Sequence, residues 1–372
     1  MSLAHRWLGG GASRERAVGI GRVLCGVASG IFLLDLGPVV MSVARGDAPH
    51  VPYALPAGVF TLPFATALLT VWALGTLGML AGWRSRLSCA LVAVSSGAVV
   101  LLDAQTYSNH LYLLALMSFL FSLRGLRGTN VAPLVMLQSA IVYIYAGLAK
   151  ANVEFMSGQV LAAYLPGPVR DMFREMPAAA TLVLALSVAA VILEVLLGVA
   201  LLVRRYRRDA FLIGLMLHVG MIVGVQPSVR WELVGFALLM FAAYVPALGL
   251  LPHARTVVWD DSCSSCATWT RWFRRLDWLG ALTFHGSSEP NVLASYSLTR
   301  EQADESMWVF GEGDRGEEVR ASGFRGVVEV LEQLPVTFLW ARLLRLPPVM
   351  AVGERMYRRH AARRHCAVPG VA

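Results

Sequence analysis

The feature that most constrains this chain is a series of long apolar runs that fills its first two thirds. A membrane-crossing helix needs about 20 mostly apolar residues, because in lipid every backbone N–H and C=O must be satisfied within the segment. Eight runs qualify, at 18–42, 58–82, 86–106, 109–123, 131–150, 178–203, 209–227 and 231–250. The fourth is short, and seven crossings with that run re-entrant or merged is the alternative count. Beyond Pro252 the sequence turns polar and rich in Arg, Asp and Glu. The expected architecture is an all-α polytopic membrane bundle of about eight spans over residues 1–250, followed by a small α/β domain over 255–366. Polar, glycine-bearing sequence from Gly9 to Arg16 precedes the first run, so a cleaved signal peptide is not expected.

Charge sets the expected orientation. Only 15% of the 372 residues are charged, yet the net charge is +8. The basic residues sit beside apolar runs, which argues against a nucleic-acid partner and for cytoplasmic loops under the positive-inside rule. Arg6, Arg14 and Arg16 precede the first run. Arg84 and Arg86, Arg124 and Arg127, and Arg204, Arg205, Arg207 and Arg208 fill the second, fourth and sixth loops. The alternate loops hold fewer: Arg45, then Arg170 and Arg174, then Arg230. A multi-pass protein of the cell membrane is expected, with its N-terminus and C-terminal domain cytoplasmic. The loop at about 151–177 is expected to hold an interfacial helix on the outer face.

Ionisable groups inside spans are costly and are candidate functional residues. Asp103, His110, Lys150, Glu194 and His218 stand out. Each has a bland reading: Lys150 can snorkel from its span end, His110 can be interfacial, Asp103 can pair with a neighbouring loop, and Glu194 and His218 can form a structural interhelical hydrogen bond. With the N-terminus inside, Asp103, Tyr107, Asn109, His110 and Lys150 all fall near the outer leaflet. A lysine in a partly desolvated cavity beside a histidine can serve as a general base.

The stretch from Gln138 through Tyr143, Ala146 and Gly147 to Lys150, followed by Glu154, Phe155 and Gly158, resembles the HTTM domain. That family is the bacterial relative of the membrane part of vitamin K-dependent γ-carboxylase. Asn109-His110-Leu111-Tyr112-Leu113 resembles a second signature, and Glu194 and His218 fall where later spans carry an acid and a histidine. The resemblance covers roughly 15–250. It implies a quinone or hydroquinone cofactor, with Lys150 as the base toward the hydroquinone and His110 orienting it or stabilising its oxyanion. Asn109, Tyr112, Tyr143, Glu194 and His218 are the implied substrate-binding residues. The carboxylase's large lumenal domain has no counterpart in this sequence, so Glu carboxylation is not expected.

The tail opens with a β-rich run, Thr256 to Asp260, then Asp261-Ser262-Cys263-Ser264-Ser265-Cys266, then a helical pattern over Ala267 to Leu279. A strand followed by C-x-x-C at a helix start is the thioredoxin-like pattern. The helix N-terminus offers unpaired N–H groups and partial positive charge, which stabilise a thiolate. Cys263, expected to be exposed, is the candidate nucleophile, and Cys266 the resolving thiol. Zinc binding is the alternative, but no second ligand pair is spaced for it, although His285, His360, His365 and Cys366 are present; two incidental surface cysteines are a third reading. No metal is expected. Cys25 and Cys89 lie in apolar runs and read as core residues.

This tail resembles the DCC family of thiol-disulfide oxidoreductase-like domains over about 255–366. Asp260, Cys263 and Cys266 match its Asp-x-x-Cys-x-x-Cys signature, with Asp260 in a supporting role. Ser306 to Phe310, a helix over Gly323 to Leu334, Leu343 to Pro347, and Tyr357 to Cys366 follow the family's later pattern. Asp261-Ser262 replaces Gly-Asp before the first cysteine, and Ser264-Ser265 replaces a Pro-aromatic inner pair, so the direction of electron flow is open.

The joint expectation is a quinone-linked thiol–disulfide redox protein in the lipid bilayer, acting on a thiol-containing protein or peptide. Two alternatives stand beside it: a carboxylase-like membrane enzyme modifying a peptide or lipid, with the tail as accessory module, and a non-catalytic transporter or scaffold.

Overall fold

The computed structural model describes residues 12–362 except 55–56, 125–129, 169, 172–176, 228–229, 250–253, 279, 313–317 and 335–336. The expected boundary at Pro252, and Arg6, Arg127, Arg174, His365 and Cys366, lie outside the described residues. The chain forms two compact units, one over 17–250 and one from 251 onward; each is described by itself.

The first unit is helical. Its principal helices are α1 (Ala12–Arg45), α2 (Leu62–Ala81), α3 (Ser85–Leu102), α4 (Asn109–Ser122) and α5 (Val131–Lys150). Two short helices follow, α6 (Val153–Met156) and α7 (Gln159–Tyr164), then α8 (Pro177–Leu202), α9 (Arg207–Gly224) and α10 (Arg230–Gly249). Among the described residues, six helices are long and apolar enough to cross a membrane: α1, α2, α3, α5, α8 and α10. The chain is a multi-pass membrane protein. The fourth expected run is a helix of only 14 residues, and the seventh, 18 residues, carries Arg207, Arg208 and Asp209 in its first turn.

Punctuation in the sequence explains where these helices stop. Gly82 closes α2 at φ 73°, a left-handed conformation that costs glycine nothing, and the turn leads straight into α3. That helix ends at Leu102, four residues before the expected limit, because Asp103 leaves the helical conformation. The buried Asp103 carboxylate accepts hydrogen bonds from the backbone N–H groups of Val51 (3.1 Å) and Gln105 (2.7 Å). Its role is to pin the loop that follows α1. Cys25 and Cys89 lie in the bundle core with Phe32, Trp72 and Met136.

The second unit is built on a four-stranded sheet of order β2-β1-β3-β4, with β1 Arg255–Trp259, β2 Leu282–Gly286, β3 Trp308–Glu312 and β4 Glu318–Ser322. Strand β1 pairs parallel with β2 and antiparallel with β3, and β3 pairs antiparallel with β4. Helix α11 (Ser264–Leu276) carries the crossover from β1 to β2. Strand β1 is buried on both faces. Val257 packs with Phe273, Val309, Val330 and Leu334 on one side, and Val258 packs with Val292, Leu298 and Phe310 on the other. Helices α12 (Val292–Ser295) and α13 (Arg300–Glu305) precede β3. After β4 come α14 (Gly323–Gln333), α15 (Phe338–Leu344) and α16 (Pro347–Ala361). A central parallel βαβ unit extended by an antiparallel hairpin is the expected thioredoxin-like α/β arrangement. Helix α11 begins three residues before its sequence pattern suggests, because Cys263 is its N-cap. It stops at Leu276, where the Asp277 carboxylate turns to accept from the N–H groups of Ala281 and Leu282.

Candidate functional site

In the bundle, one pair of polar candidates is set by the packing of α5 against α8. Tyr143 and Lys150 are seven residues apart on α5, two helical turns, so they share a face. Gly147 lies between them on that face. A Cβ there would meet the Val195 side chain at 2.7 Å and the Val191 carbonyl oxygen at 3.0 Å. Across the interface, a Cβ on Gly198 would meet the Ala140 carbonyl oxygen at 2.8 Å. Two glycines thus let the backbones approach closely, as small residues do between membrane helices.

That approach brings Glu194 of α8 against Lys150, with Nζ donating to Oε1 at 2.5 Å. The ammonium also lies 5.8 Å from the Phe155 ring centroid. The pair is unequal: the glutamate side chain is 7% exposed and the lysine side chain 34%. The second carboxylate oxygen of Glu194 is buried without a hydrogen-bond partner among the described residues. One turn pair deeper, the Tyr143 hydroxyl meets His218 Nε2 at 2.6 Å. Both residues are buried, and His218 Nδ1 is likewise unpartnered. The sequence reading allowed a direct Glu194–His218 hydrogen bond; in the structure each has a different partner on α5.

His110 belongs to a second polar group. Its Nδ1 lies 2.9 Å from Glu232 Oε1, and Ser108 donates to the same oxygen at 2.9 Å. Ser108 is the N-cap of α4 and accepts from the His110 N–H. No hydrogen bond joins His110 to Lys150 among the described residues; what lies next to both histidines is Phe236, 4.5 Å from the His110 ring and 5.3 Å from the His218 ring. Asn109 accepts from the Tyr107 hydroxyl at 3.2 Å, and Tyr112 is 55% exposed on the outside of the bundle. Neither joins the Lys150 group. Sequence reasoning missed Glu232 and Ser108. The rule that singled out the other ionisable residues applied equally to Glu232, which opens the last apolar run.

In the second unit, the C-x-x-C loop leaves the C-terminal end of β1. Asp260, buried, accepts from the Ser262 N–H at 3.0 Å and from the Ser262 hydroxyl at 2.6 Å. Asp261 reaches across to the loop after β2, accepting from the Ser288 N–H at 3.1 Å and from the hydroxyls of Ser287 and Ser288. Partial burial pushes the Asp261 carboxyl up, but these donors outweigh it and hold it below the usual carboxylate range. The two carboxylates tie both ends of the turn, and Cys263 follows as the N-cap of α11 with Cys266 in its first turn.

Both cysteines are thiols. Cys263 is 2% exposed, and Cys266 is half-buried. This corrects the expectation of an exposed Cys263: the tethered turn draws the N-cap residue inward, and C-x-x-C spacing carries no information about that path. The zinc alternative finds no ligand set among the described residues. His285 pairs with Glu289, and His360 meets the Ser265 hydroxyl.

Neither a curated protein nor a solved structure shows significant similarity to this chain. Two family models do match. One, the HTTM domain, matches residues 55–128 and 129–223. The other, the DCC1-like thiol-disulfide oxidoreductase, matches residues 257–368. The first match takes in α2 to α9 of the helical unit, with the Lys150–Glu194 pair, and the second takes in the sheet unit with its N-capping cysteine; the chain joins an HTTM domain to a DCC1-like thiol-disulfide oxidoreductase domain.

Proposed function

We propose that this protein is a membrane-bound, quinone-linked thiol–disulfide oxidoreductase. The observation that carries the redox half is the dithiol at a helix N-terminus, where unpaired N–H groups and the helix dipole favour a thiolate. Cys263, at the N-cap, takes most of that field. Cys266, the more open thiol, is the one a protein or peptide partner reaches. Closing the Cys263–Cys266 disulfide releases two electrons and two protons.

The membrane half suits a quinone on one specific ground. Glu194 Oε2 and His218 Nδ1 are buried polar atoms without protein partners among the described residues, and buried polar groups of this kind call for a hydrogen-bonding ligand or water. Lys150, Glu194 and His218 would hold the group, and a quinone supplies a two-electron, two-proton acceptor that balances the dithiol. Tyr143 fixes the His218 ring through Nε2 and leaves Nδ1 to the ligand. When the quinone is reduced, the Lys150 ammonium would give a proton to its oxygen; in the reverse direction the neutral amine so formed, beside Glu194, would be the base that takes that proton back from the hydroquinone. His110, held by Glu232, supports this group through Phe236. The arginine distribution assigns the N-terminus and the dithiol domain to the cytoplasmic side and Lys150 to the outer leaflet, so this reading requires a mobile quinone to carry electrons between them.

The test replaces Cys263 and Cys266 by Ser and measures quinone-dependent thiol oxidation in membranes. Loss of activity is expected; unchanged activity sinks the coupling. The second reading, modification of a peptide or lipid by the bundle, rests on the same Lys150–Glu194 pair. It predicts an activity that survives the double Cys→Ser change and is lost in Lys150→Ala.

A further inference from the structure

We propose that His360 is a positioning residue for the Cys263–Cys266 dithiol, acting through the Ser265 hydroxyl. His360 Nε2 lies 3.0 Å from Ser265 Oγ, across 95 residues of sequence. Ser265 is the second inner residue of the C-x-x-C and precedes Cys266 in the first turn of α11. The inference rests on reading that pair as the redox centre.

The placement of His360 follows from how α16 is seated. Gly353, Glu354, Tyr357 and His360 recur at three- and four-residue spacing, which makes one helix face. Gly353 is pressed against the Phe324 ring, where a Cβ would come within 2.1 Å. Glu354 accepts from the Arg325 N–H at 3.1 Å. The Tyr357 hydroxyl accepts from the Met307 N–H at 3.0 Å. Met307 immediately precedes β3, whose Trp308 pairs with Val258, so Tyr357 is anchored at the end of β1 from which the dithiol loop departs. His360 is the next position on this face. Its delivery to Ser265 depends on three contacts that a change at His360 leaves in place.

The consequence for the dithiol is electrostatic and conformational. Holding Ser265 fixes the first turn that carries both cysteines. In the tautomer that carries its proton on Nε2, the imidazole directs an N–H at the positive end of α11 and adds its dipole to the field that favours a thiolate. The added field stabilises the reduced pair over the disulfide.

The experiment uses the full-length protein in detergent. It is equilibrated in glutathione redox buffers, trapped by alkylation, and the Cys263–Cys266 disulfide is quantified by mass spectrometry. His360→Ala should shift the equilibrium toward the disulfide by about tenfold, equivalent to about 30 mV for this two-electron couple. Ser265→Ala should give the same shift, and the double variant no more, because both remove one interaction. His360→Gln, which can still hydrogen-bond the serine, should return most of the way to wild type. Wild-type equilibria in His360→Ala and Ser265→Ala, or additive shifts in the double variant, overturn the proposal while leaving the dithiol reading intact. A wild-type pair that forms no disulfide at any buffer ratio overturns the dithiol reading itself, and this proposal with it.

Discussion

Replacing Lys150 and Glu194 one at a time should have unequal effects, and the inequality follows from their exposure. Lys150→Met leaves Glu194, 7% exposed, with both oxygens unpartnered by the described residues, since Oε2 has no partner among them already. Stripping one member from a buried ion pair costs about 3–5 kcal/mol, because the remaining charge keeps its desolvation penalty and loses the attraction that offset it. Glu194→Gln strands the other member, but Lys150 is 34% exposed at the end of α5. Its long side chain can swing its ammonium toward water, so a loss nearer the roughly 0.2–1 kcal/mol of exposed pairs is expected. For a unit of this size each kcal/mol moves the midpoint by about 2–4 °C, so Lys150→Met should melt roughly 6–20 °C below wild type and Glu194→Gln only a few degrees below. The assay is thermal unfolding of the detergent-solubilised protein. Lys150→Met/Glu194→Leu, which removes both charges, should recover most of the loss. Equal destabilisation by the two single changes, or a double variant as unstable as Lys150→Met, would refute the reasoning.

Three further outcomes test the packing and the dithiol loop. Gly147→Val should destabilise the bundle by about 1–3 kcal/mol through overpacking, since the Val191 carbonyl oxygen it meets at 3.0 Å is backbone and cannot rotate away; wild-type thermal stability would contradict the close approach of α5 and α8. A bulky maleimide at about pH 9, where access outweighs ionisation, should label Cys266 before Cys263, read by peptide mapping over time; the reverse order would contradict the burial of Cys263. Asp261 has a folded pKa held low by the Ser287 and Ser288 donors, so its stabilisation is fully present above the unfolded carboxylate value of about 3.9 and is lost as pH falls through the lower folded value. Asp261→Asn should therefore remove part of the acid dependence of hydrogen exchange in 257–334, and an unaltered acid profile would show that the carboxylate does not tether the loop.

Both site groups show where local sequence stops being informative. Hydropathy over about 20 residues and C-x-x-C after a β-rich run are local signals, read along the chain without knowing what lies opposite. They were enough for the multi-pass helical bundle, for the thioredoxin-like tail, and for Lys150, Glu194, His218 and the two cysteines as candidates. The pairings were not legible. Lys150 meets Glu194 because Gly147 and Gly198 bring α5 and α8 together at one depth, and Tyr143 meets His218 across a different pair of helices, α5 and α9. Nothing in either segment alone states that depth. Glu232 joined His110 for the same reason, from a helix more than a hundred residues away.

In the tail, the spacing of Cys263 and Cys266 placed both at one helix start, but their exposure depended on Asp260 bracing the turn through Ser262 and on Asp261 tying it to the loop after β2. His360 reached Ser265 only because α16 is seated by Gly353, Glu354 and Tyr357. The sequence by itself determined that a multi-pass helical bundle precedes a small sheet domain and which residue types are available for chemistry, because those follow from periodicity and transfer free energy summed over neighbours in the chain. Only the tertiary structure decided which charge faces which, and which thiol faces outward, because those depend on distances between segments that are remote in sequence.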